Sequence, residues 1–394
     1  MTAQTKNRET EPSGLGWELF LNYIIAWRRF RPDYFLYENN KSMAKTIRNQ
    51  IDVEFCRPYA ESEDWELVWA CEDNKHAWWR YRHMDGREKT IHRILINSAL
   101  VSAQNRERYY WTDIPDVGQP EDRGILMRDV LDGAETWLEK AYTLDANYHK
   151  TSGDRGFETQ SGRRRMVAEP VNTTEGDKAY AVKANYHKAG PSNLLGGGGH
   201  YPETGVAEAI YQRPRGYNAG GIKHDKAPTL TANGDWPSNN LAVAPCDDSG
   251  RPIYPVKDGY ITIKGQRYEI KLADGFYIIR KLSVAECMRL QTVPAWYQFP
   301  VSDTQAYRML GNGWTCEVIA HLLGHIPGIS EAEVDVLSMY DGMACGRIAL
   351  GLAGARVTRY RATEIDKYAI KTSSHNFPDI VHLGDAFGVR DWED

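Results

Sequence analysis

The sequence predicts an α/β fold, and three features of its C-terminal part carry that prediction. An apolar run rich in β-branched residues, at 334–339, has the composition of a buried parallel strand. The glycine-containing turn that follows, residues 340–346, opens a helical pattern that ends near Gly354. A second strand, residues 357–363, ends on Glu364. The order strand, glycine turn, helix, strand and acid indicates a nucleotide-binding βαβ unit.

The turn and the acid predict a cofactor site. A glycine turn at a helix N-terminus offers free N–H groups to an anion or carboxylate. Glu364 lies 22 positions after Gly342, close to the spacing of roughly 20 at which a strand-end carboxylate accepts ribose hydroxyls. A third strand, residues 380–383, leads to Asp385, a second carboxylate that could read an adenine amino group. The turn lacks the G-x-G-x-x-G pattern of NAD sites, so we expect S-adenosylmethionine, with any other Rossmann-type cofactor as the general alternative.

Composition limits the class of protein. The 394 residues carry a net charge of −5, with a pI near 6.2, so the chain has no overall basic signature for nucleic acid. No run of about 18 apolar residues occurs, so we expect no membrane association. The polar N-terminus has no signal-peptide pattern, and the six cysteines form no C-x-x-C pair. These features predict a cytoplasmic protein with reduced cysteines and no metal site.

The first segments predict a helix and then a strand that ends on an acid. Residues 17–30 have apolar side chains at helical spacing, and residues 34–37 form an apolar run that leads to Glu38. A carboxylate at the C-terminal end of a strand lies where α/β proteins place active sites, although Glu38 could instead cap the next segment. Residues 55–92 are charged and Trp-rich, which predicts a β-hairpin-like insertion with a turn at residues 85–86.

Two arginines follow at alternating positions. After a predicted strand at residues 94–98, the side chains of Gln104, Arg106 and Arg108 share one face of any extended segment. Two arginines on one face suit a phosphate, a carboxylate or a base edge. A solvated, charged edge strand is the alternative interpretation.

Residues 116–226 differ in composition from the rest of the chain. Their apolar runs are short, and they include three consecutive arginines at 163–165. Between residues 140 and 226, 13 Lys and Arg exceed 9 Asp and Glu. Tyr, His, Asn and Arg mixed with glycine suit a region that reads a DNA groove, and solvated variable loops are the alternative. The pentapeptide at 146–150 recurs at 184–188, which predicts two similar hairpins.

Regular structure is predicted again towards the C-terminal side of this region. Strands are expected between residues 260 and 279. Ser283 and Glu286 form a capping box that opens a short helix. The Gly-Asn-Gly-Trp sequence at 311–314 then leads into a helix over residues 317–326.

Eight motifs together resemble those of the DNA (cytosine-5) methyltransferases. They cover roughly residues 17–120 and 222–393, and those with YDG and GNGW are most similar to the animal de novo enzymes and certain phage and bacterial relatives. In chain order the motifs are FLYENN, SAQNRERYYW, KAPTLTAN, SVAECMRLQTVP with its Phe299, GNGWTCEV, YDGMACG, ATEID and the pair Gly384-Asp385. The cofactor motifs come last, a permuted order similar to that of the plant domains-rearranged methyltransferases. Such permutation is feasible because the termini of a domain often lie close together.

The resemblance implies a Rossmann-like, S-adenosylmethionine-dependent methyltransferase with a small, loop- and β-rich target-recognition region. Its substrate would be double-stranded DNA, methylated at C5 of a flipped cytosine. Glu38 would contact the N3 edge of that cytosine, Arg106 would brace the base and its phosphate, and Arg108 would support Glu38. The cofactor would be held by Tyr340, Asp341, Gly342, Met343, Glu364, Ile365 and Asp385, with Asn312, Gly313 and Trp314 closing over it.

The resemblance also calls for a cysteine thiolate in a glycine-rich Pro-Cys loop. In family order that loop falls between Asp385 and Trp17, and the chain begins at Met1 and ends at Asp394. We therefore expect the loop to be missing, either because the chain is truncated or because the enzyme is split into two polypeptides, of which the second supplies the loop. Cys246 is the only cysteine preceded by proline, but it follows the KAPTLTAN motif and lacks the preceding glycines.

Three functions remain open: an incomplete methyltransferase of this family, a catalytically silent DNA-binding or regulatory relative, and an S-adenosylmethionine-dependent enzyme acting on another substrate.

The predicted domain organisation has four parts. Residues 1–115 form the second half of the catalytic domain (with the insertion at 55–92), 116–226 the target-recognition region, 227–326 a return to the catalytic domain, and 327–394 the cofactor-binding βαβ half.

Overall fold

The computed structural model describes residues 9–73, 75–136, 138–150, 166–170, 209–212, 221–223, 240–243, 252–263 and 266–392. The chain divides into two compact units. The first consists of Met1–Val130, Lys140–Lys150 and Ser283–Asp394, and the second of Leu131–Glu139 and Thr151–Leu282.

An antiparallel five-stranded sheet organises the N-terminal part of the first unit. Its strands are β1 (Leu36–Asn40), β2 (Trp65–Glu72), β3 (His76–His83), β4 (Glu88–Asn97) and, after the two-residue β5 (Gln104–Asn105), β6 (Glu107–Thr112). The order across the sheet is β1-β6-β4-β3-β2. Glu38 lies in β1 with Tyr110 of β6 as its Cα partner, so the predicted site acid sits beside the segment that carries the arginines.

Two helices cover one face of this sheet. They are α1 (Gly14–Phe30) and α2 (Lys45–Ala60). Ile47, Ile51 and Phe55 of α2 repeat at a spacing of four, which places them on one helical face, and all three are buried. They pack with Phe20 of α1 and Trp111 of β6 in one apolar cluster.

Three further helices in the first unit lie between the second unit and the C-terminal sheet in sequence. They are α3 (Val284–Leu290), α4 (Asp303–Asn312) and α5 (Cys316–Gly324). The capping box of α3 is confirmed, because Ser283 Oγ accepts from Glu286 N and the Glu286 carboxylate accepts from Ser283 N. Val318 and Leu322 of α5 pack against Ile94 and Ile96 on the other face of the N-terminal sheet.

The C-terminal segment alternates parallel strands with helices. The elements are β16 (Glu333–Met339), α6 (Cys345–Leu352), β17 (Arg356–Thr363), α7 (Lys367–Asn376) and β18 (Ile380–Gly384). The three strands are parallel, with β17 in the middle. Gly354 has a left-handed φ of 82° just after α6, the conformation that ends helices at glycine. This segment confirms the predicted α/β class and the alternation of strand, turn and helix.

The remaining strands are short. In the first unit, β7 (Ala141–Tyr142) pairs in parallel with β5. The strands of the second unit are β8 Val167–Pro170, β9 Ala209–Gln212, β10 Gly221–Lys223, β11 Asn240–Val243, β12 Ile253–Lys257, β13 Tyr260–Ile263, β14 Gln266–Glu269 and β15 Gly275–Arg280. One sheet of this unit has the order β14-β13-β12-β15-β8 and another the order β10-β9-β11.

Three local predictions need correction. Residues 55–60 are the end of α2, and the insertion then adds two hairpins, with the predicted turn at 85–86 joining β3 to β4 and a second turn joining β2 to β3. Residues 148–150 form a 3₁₀ turn where a hairpin was expected, and the second copy of that pentapeptide lies outside the described residues. Gln104 and Arg106 are only 0% and 4% exposed, so the solvated edge strand considered for them is wrong.

Within the described ranges, no helix has the length and apolar character needed to cross a membrane. Those same ranges contain no group of three or more His, Cys, Asp or Glu side chains that could hold a metal ion.

Candidate functional site

The turn between β16 and α6 has an unusual backbone. Tyr340, Gly342 and Ala344 all adopt left-handed conformations, with φ of 59°, 59° and 63°. Non-glycine residues adopt such angles at a cost, and such residues cluster at functional sites as well as in turns. A Cβ atom built on Gly342 would meet no heavy atom within 4 Å. The turn therefore leaves open space beside its central glycine.

Glu364 holds this turn against the end of β17. Its Oε2 accepts a hydrogen bond from Gly342 N at 2.8 Å. Its Oε1 accepts from the backbone N–H groups of Ile365 and Asp366, each at 2.8 Å. The carboxylate predicted to contact the cofactor is thus already fixed in one orientation by three backbone donors.

Asp341 is a buried acid with an unused oxygen. Its Oδ1 accepts hydrogen bonds from Ser338 Oγ at 2.6 Å and Tyr360 Oη at 2.7 Å. Its Oδ2 is buried and has no hydrogen-bond partner among the described residues. Burial raises the pKa of Asp341 to about 6, against the lowering effect of the two hydroxyl donors. A buried acceptor without a donor is costly, so the site is suited to a ligand that brings one.

The other predicted cofactor residues surround the same turn. Tyr340 is 40% exposed, and its hydroxyl donates to the Leu19 carbonyl of α1 at 2.8 Å. Ile365 is 73% exposed, so an apolar side chain is presented to solvent directly after Glu364. Asp385 accepts a hydrogen bond from Phe387 N at 3.0 Å and so begins a short 3₁₀ helix after β18.

Met343 is held in place by a residue from outside the turn. It is 2% exposed, and its carbonyl accepts a hydrogen bond from Tyr297 Oη at 2.6 Å. Tyr297 lies in the segment between α3 and α4, and the sequence interpretation assigned it no role. It ties that segment to the cofactor turn.

Glu38 is brought together with Arg108 and Trp314. Arg108 Nε lies 2.8 Å from Glu38 Oε1, and the two side chains are only 12% and 18% exposed. Trp314 Nε1 donates to Glu38 Oε2 at 3.3 Å. Each carboxylate oxygen therefore has one of these two donors, which fixes the orientation of the carboxylate. The contact from Trp314 was not predicted from the sequence, where this residue was assigned only to the cofactor.

Arg106, between β5 and β6, contacts the loop that carries Trp314. Its guanidinium donates to the carbonyl oxygens of Gly313 at 2.8 Å, Leu144 at 3.2 Å and Gly311 at 3.4 Å. Burial lowers the pKa of Arg106 to about 9, and the charge of Arg108 adds to that effect. A cation at the C-terminal end of α4 satisfies carbonyls that the helix leaves unpaired.

The Asn312-Gly313-Trp314 loop lies close to α6. A Cβ atom on Gly313 would stand 3.1 Å from Cys345 Sγ and 3.1 Å from the Met309 carbonyl. A Cβ atom on Gly346 of α6 would lie 3.6 Å from the Trp314 ring. The loop thus contacts both the start of the cofactor helix and, through Trp314, the carboxylate of Glu38.

The described cysteines do not offer an exposed thiol at this site. Cys56, Cys287, Cys316 and Cys345 are buried, and the exposed Cys71 lies on β2. The Cys345 side chain and burial raise the pKa of Cys316 well above its ordinary value. Cys246, the only cysteine after a proline, lies outside the described residues.

Comparison with protein-family models finds one match, described as the C-5 cytosine-specific DNA methylase, over residues 90–327. This is more than half of the chain, and it includes Arg106, Arg108 and Trp314. None of the curated proteins compared with the chain matches it.

Proposed function

Since the chain belongs to the C-5 cytosine-specific DNA methylase family, we propose that it binds S-adenosylmethionine and double-stranded DNA and takes part in methyl transfer to C5 of a flipped cytosine. The observation that supports this most strongly is the Glu38 carboxylate, held between Arg108 and Trp314 beside the loop that meets the cofactor turn. The cofactor half would be Rossmann-like, in keeping with its parallel strands and intervening helices.

The residues around the turn fit this cofactor. The buried, unpartnered Asp341 Oδ2 offers an acceptor for an amino group, Glu364 offers its remaining lone pair to a ribose hydroxyl, and the exposed Ile365 offers an apolar surface to an adenine ring. Asp385 would read the adenine amino group, and Tyr340, Gly342 and Met343 would form the turn around the cofactor. S-adenosylmethionine supplies an electrophilic methyl group when bound.

Glu38 would hold the cytosine. Arg108 and Trp314 orient its carboxylate, and a carboxylate accepts hydrogen bonds from the N4 amino group and from N3 when N3 carries a proton. Proton sharing at N3 draws electrons from the ring, so C6 becomes open to attack by a thiolate. Arg106 would act indirectly, because it fixes the position of the loop that carries Trp314.

The nucleophile would come from a second polypeptide and not from a cysteine of this sequence. This proposal rests on the described cysteines, four of which are buried. The catalytically silent relative stays the second candidate, because a protein whose described residues place no exposed thiol beside Glu38 can still bind the cofactor and DNA.

Duplex DNA that contains 5-fluorocytosine tests this assignment, because the fluorine traps the covalent adduct. We expect the purified chain to form no adduct and to transfer no labelled methyl group by itself. An adduct formed by the chain alone, and lost in Cys246→Ser, would contradict the assignment and identify Cys246 as the nucleophile.

A further inference from the structure

A second concave site lies on the N-terminal sheet, within the first unit. It is an open groove of about 690 Å³, within the range of ligand sites, and side chains of β2, β3 and β4 form part of its lining, here called its floor. Strand register fixes that floor, because Trp69 pairs with Arg80 across β2 and β3, and Trp78 pairs with His92 across β3 and β4. The sequence interpretation left this insertion without a function.

His92 is the feature of this groove that calls for a ligand. It is 6% exposed, and both of its ring nitrogens are without a hydrogen-bond partner in the described part of the chain. Burial lowers the pKa of His92 to about 4, so the ring is neutral near pH 7 and presents one donor and one acceptor. Leaving both nitrogens unsatisfied costs stability, so the ring is suited to a ligand that brings an acceptor and a donor.

The groove also presents aromatic rings and a cation. Trp69 is 48% exposed, and the Arg80 guanidinium lies 5.9 Å from its ring centroid. Trp78 lies at 75° to the His92 ring, with a centroid distance of 6.3 Å. Aromatic side chains on the face of a sheet, together with arginine, are the surfaces on which unpaired bases stack.

The charges of the groove favour a base edge over a phosphate. Glu88 is paired with Arg82 at 2.9 Å, and Asp113 with Lys89 at 2.6 Å. Asp116 also lines the groove and acts electrostatically on His92. A carboxylate beside a neutral imidazole accepts hydrogen bonds from amino and ring N–H groups, whereas it repels a phosphate.

We propose that this groove binds an unpaired nucleobase carried by a single strand of nucleic acid, stacked on the Trp69 and Trp78 side and hydrogen-bonded to His92. The strand's phosphates stay outside the groove, within reach of Arg80. Bases with an exocyclic amino group bind better than thymine, because the free groups on the wall include a carboxylate. This site does not depend on the cytosine chemistry proposed above.

Fluorescence-polarisation titration of short single-stranded oligonucleotides, with the duplex as comparison, tests the proposal. We expect Trp69→Ala and His92→Leu each to weaken single-strand binding roughly 5- to 50-fold, the effect of losing one stacked or hydrogen-bonded base. Oligo(dC) and oligo(dA) should bind more tightly than oligo(dT). Trp296→Ala, which removes a similarly exposed Trp (56%) elsewhere, should leave binding unchanged.

His92→Gln and thermal unfolding separate binding from folding. We expect His92→Leu to melt at or above the temperature of the wild-type protein, because the unpartnered nitrogens are gone, and His92→Gln to retain part of the binding. Calorimetric titration with S-adenosylmethionine should be unchanged in all groove variants, which distinguishes this site from the cofactor site.

Three results would overturn the proposal. The first is equal single-strand affinity in the wild-type protein and in both Trp69→Ala and His92→Leu. The second is binding of nucleoside monophosphates as tight as that of the oligonucleotides, which would make a free nucleotide the ligand. The third is binding of a labelled lysine-rich peptide to the groove that an unlabelled oligonucleotide does not displace. That result would identify a cationic protein segment as the ligand of the groove.

Discussion

At the scale of single residues, the Glu38 and Arg108 side chains form the polar contact on which the proposed chemistry depends. Both are largely shielded from solvent, so each charge relies on the other. The Lys41–Glu107 pair, close to the same two strands, has a similar distance of 2.7 Å, but its side chains are 49% and 41% exposed. The two pairs therefore differ mainly in burial.

A double-mutant cycle measures this difference. We expect Glu38→Gln and Arg108→Gln, alone and together, to give a coupling free energy of about 2 kcal/mol in urea unfolding, because each single change leaves a shielded charge without its partner. The same cycle at Lys41 and Glu107 should give about 0.5 kcal/mol or less. Equal couplings at the two pairs would contradict the assigned environment of Glu38.

Asp341 predicts a pH dependence of stability. Its folded pKa of about 6 lies above the ordinary value near 3.9, so the folded state binds a proton more tightly than the unfolded state. The free energy of unfolding should therefore fall as pH rises from about 4 to 6, by up to about 3 kcal/mol from this group.

Asp341→Asn should remove that part of the pH dependence and stabilise the protein at pH 7, since the amide carries no charge. Urea unfolding at pH 4, 6 and 7 provides the measurement, with Ser338→Ala as a control that removes one donor and keeps the acid. If the stability of the Asp341→Asn variant changes with pH as that of the wild-type protein does, the assigned role of Asp341 is wrong.

Single residues also show which side-chain contacts could be predicted from the sequence. The sequence interpretation associated Arg108 with Glu38, and the structure places the two side chains in contact. The environment of Arg106 could not be predicted, because its carbonyl partners lie as far as 207 positions away in the chain. Only tertiary packing brings the end of α4 to this guanidinium.

At the scale of elements, α4 and the segment at residues 145–146 are packed without space for a side chain. A Cβ atom on Gly311 would approach the backbone of Asp145 to 2.3 Å. A Cβ atom on Gly351, also inside a helix, would meet nothing within 4 Å. The two glycines therefore serve different purposes in α4 and α6.

Two alanine substitutions test that distinction. Gly311→Ala should destabilise the protein by about 2 kcal/mol or more, because the backbone of residue 145 must move. Gly351→Ala should be neutral or stabilise it by about 0.5–1 kcal/mol, because alanine favours helix. Urea unfolding of both variants provides the comparison, and a Gly311→Ala variant as stable as Gly351→Ala would contradict the contact.

Elements with a continuous apolar pattern were predicted well, and a helix whose pattern is interrupted was not. The strand-turn-helix-strand alternation after residue 334 was recognised because apolar runs and glycines mark it. Helix α2 was missed although Ile47, Ile51 and Phe55 repeat at helical spacing, since the polar residues between them and the internal Pro58 weaken the pattern.

At the scale of the whole molecule, the proposed DNA contacts lie largely outside the described residues. Within the predicted target-recognition region at 116–226, residues 140–226 have a local positive excess in an acidic chain. The three consecutive arginines at 163–165 are the densest positive charge in that region. Contacts of arginine with DNA phosphates release counterions, so affinity falls steeply with salt.

Replacing Arg163, Arg164 and Arg165 with alanine should therefore weaken duplex binding and lower the slope of log affinity against log salt by up to about 3. A matched variant with Arg87, Arg356 and Arg359 replaced removes three charges whose side chains are 69%, 70% and 62% exposed in the first unit. Polarisation titrations of both variants at several salt concentrations provide the comparison. Equal slopes of log affinity against log salt for the two variants would contradict the assignment of residues 116–226 to DNA binding.

Calorimetric titration of the folded chain with S-adenosylmethionine tests the central claim most directly. The wild-type protein should bind the cofactor, and Glu364→Ala should weaken binding about 5- to 150-fold, equivalent to about 1–3 kcal/mol for hydroxyls left unpaired and a turn no longer held. Glu331→Ala, at an exposed position, should bind as the wild-type does. The account would be contradicted by a folded wild-type chain that gives no binding heat at any temperature tested, either with S-adenosylmethionine or with its demethylated product.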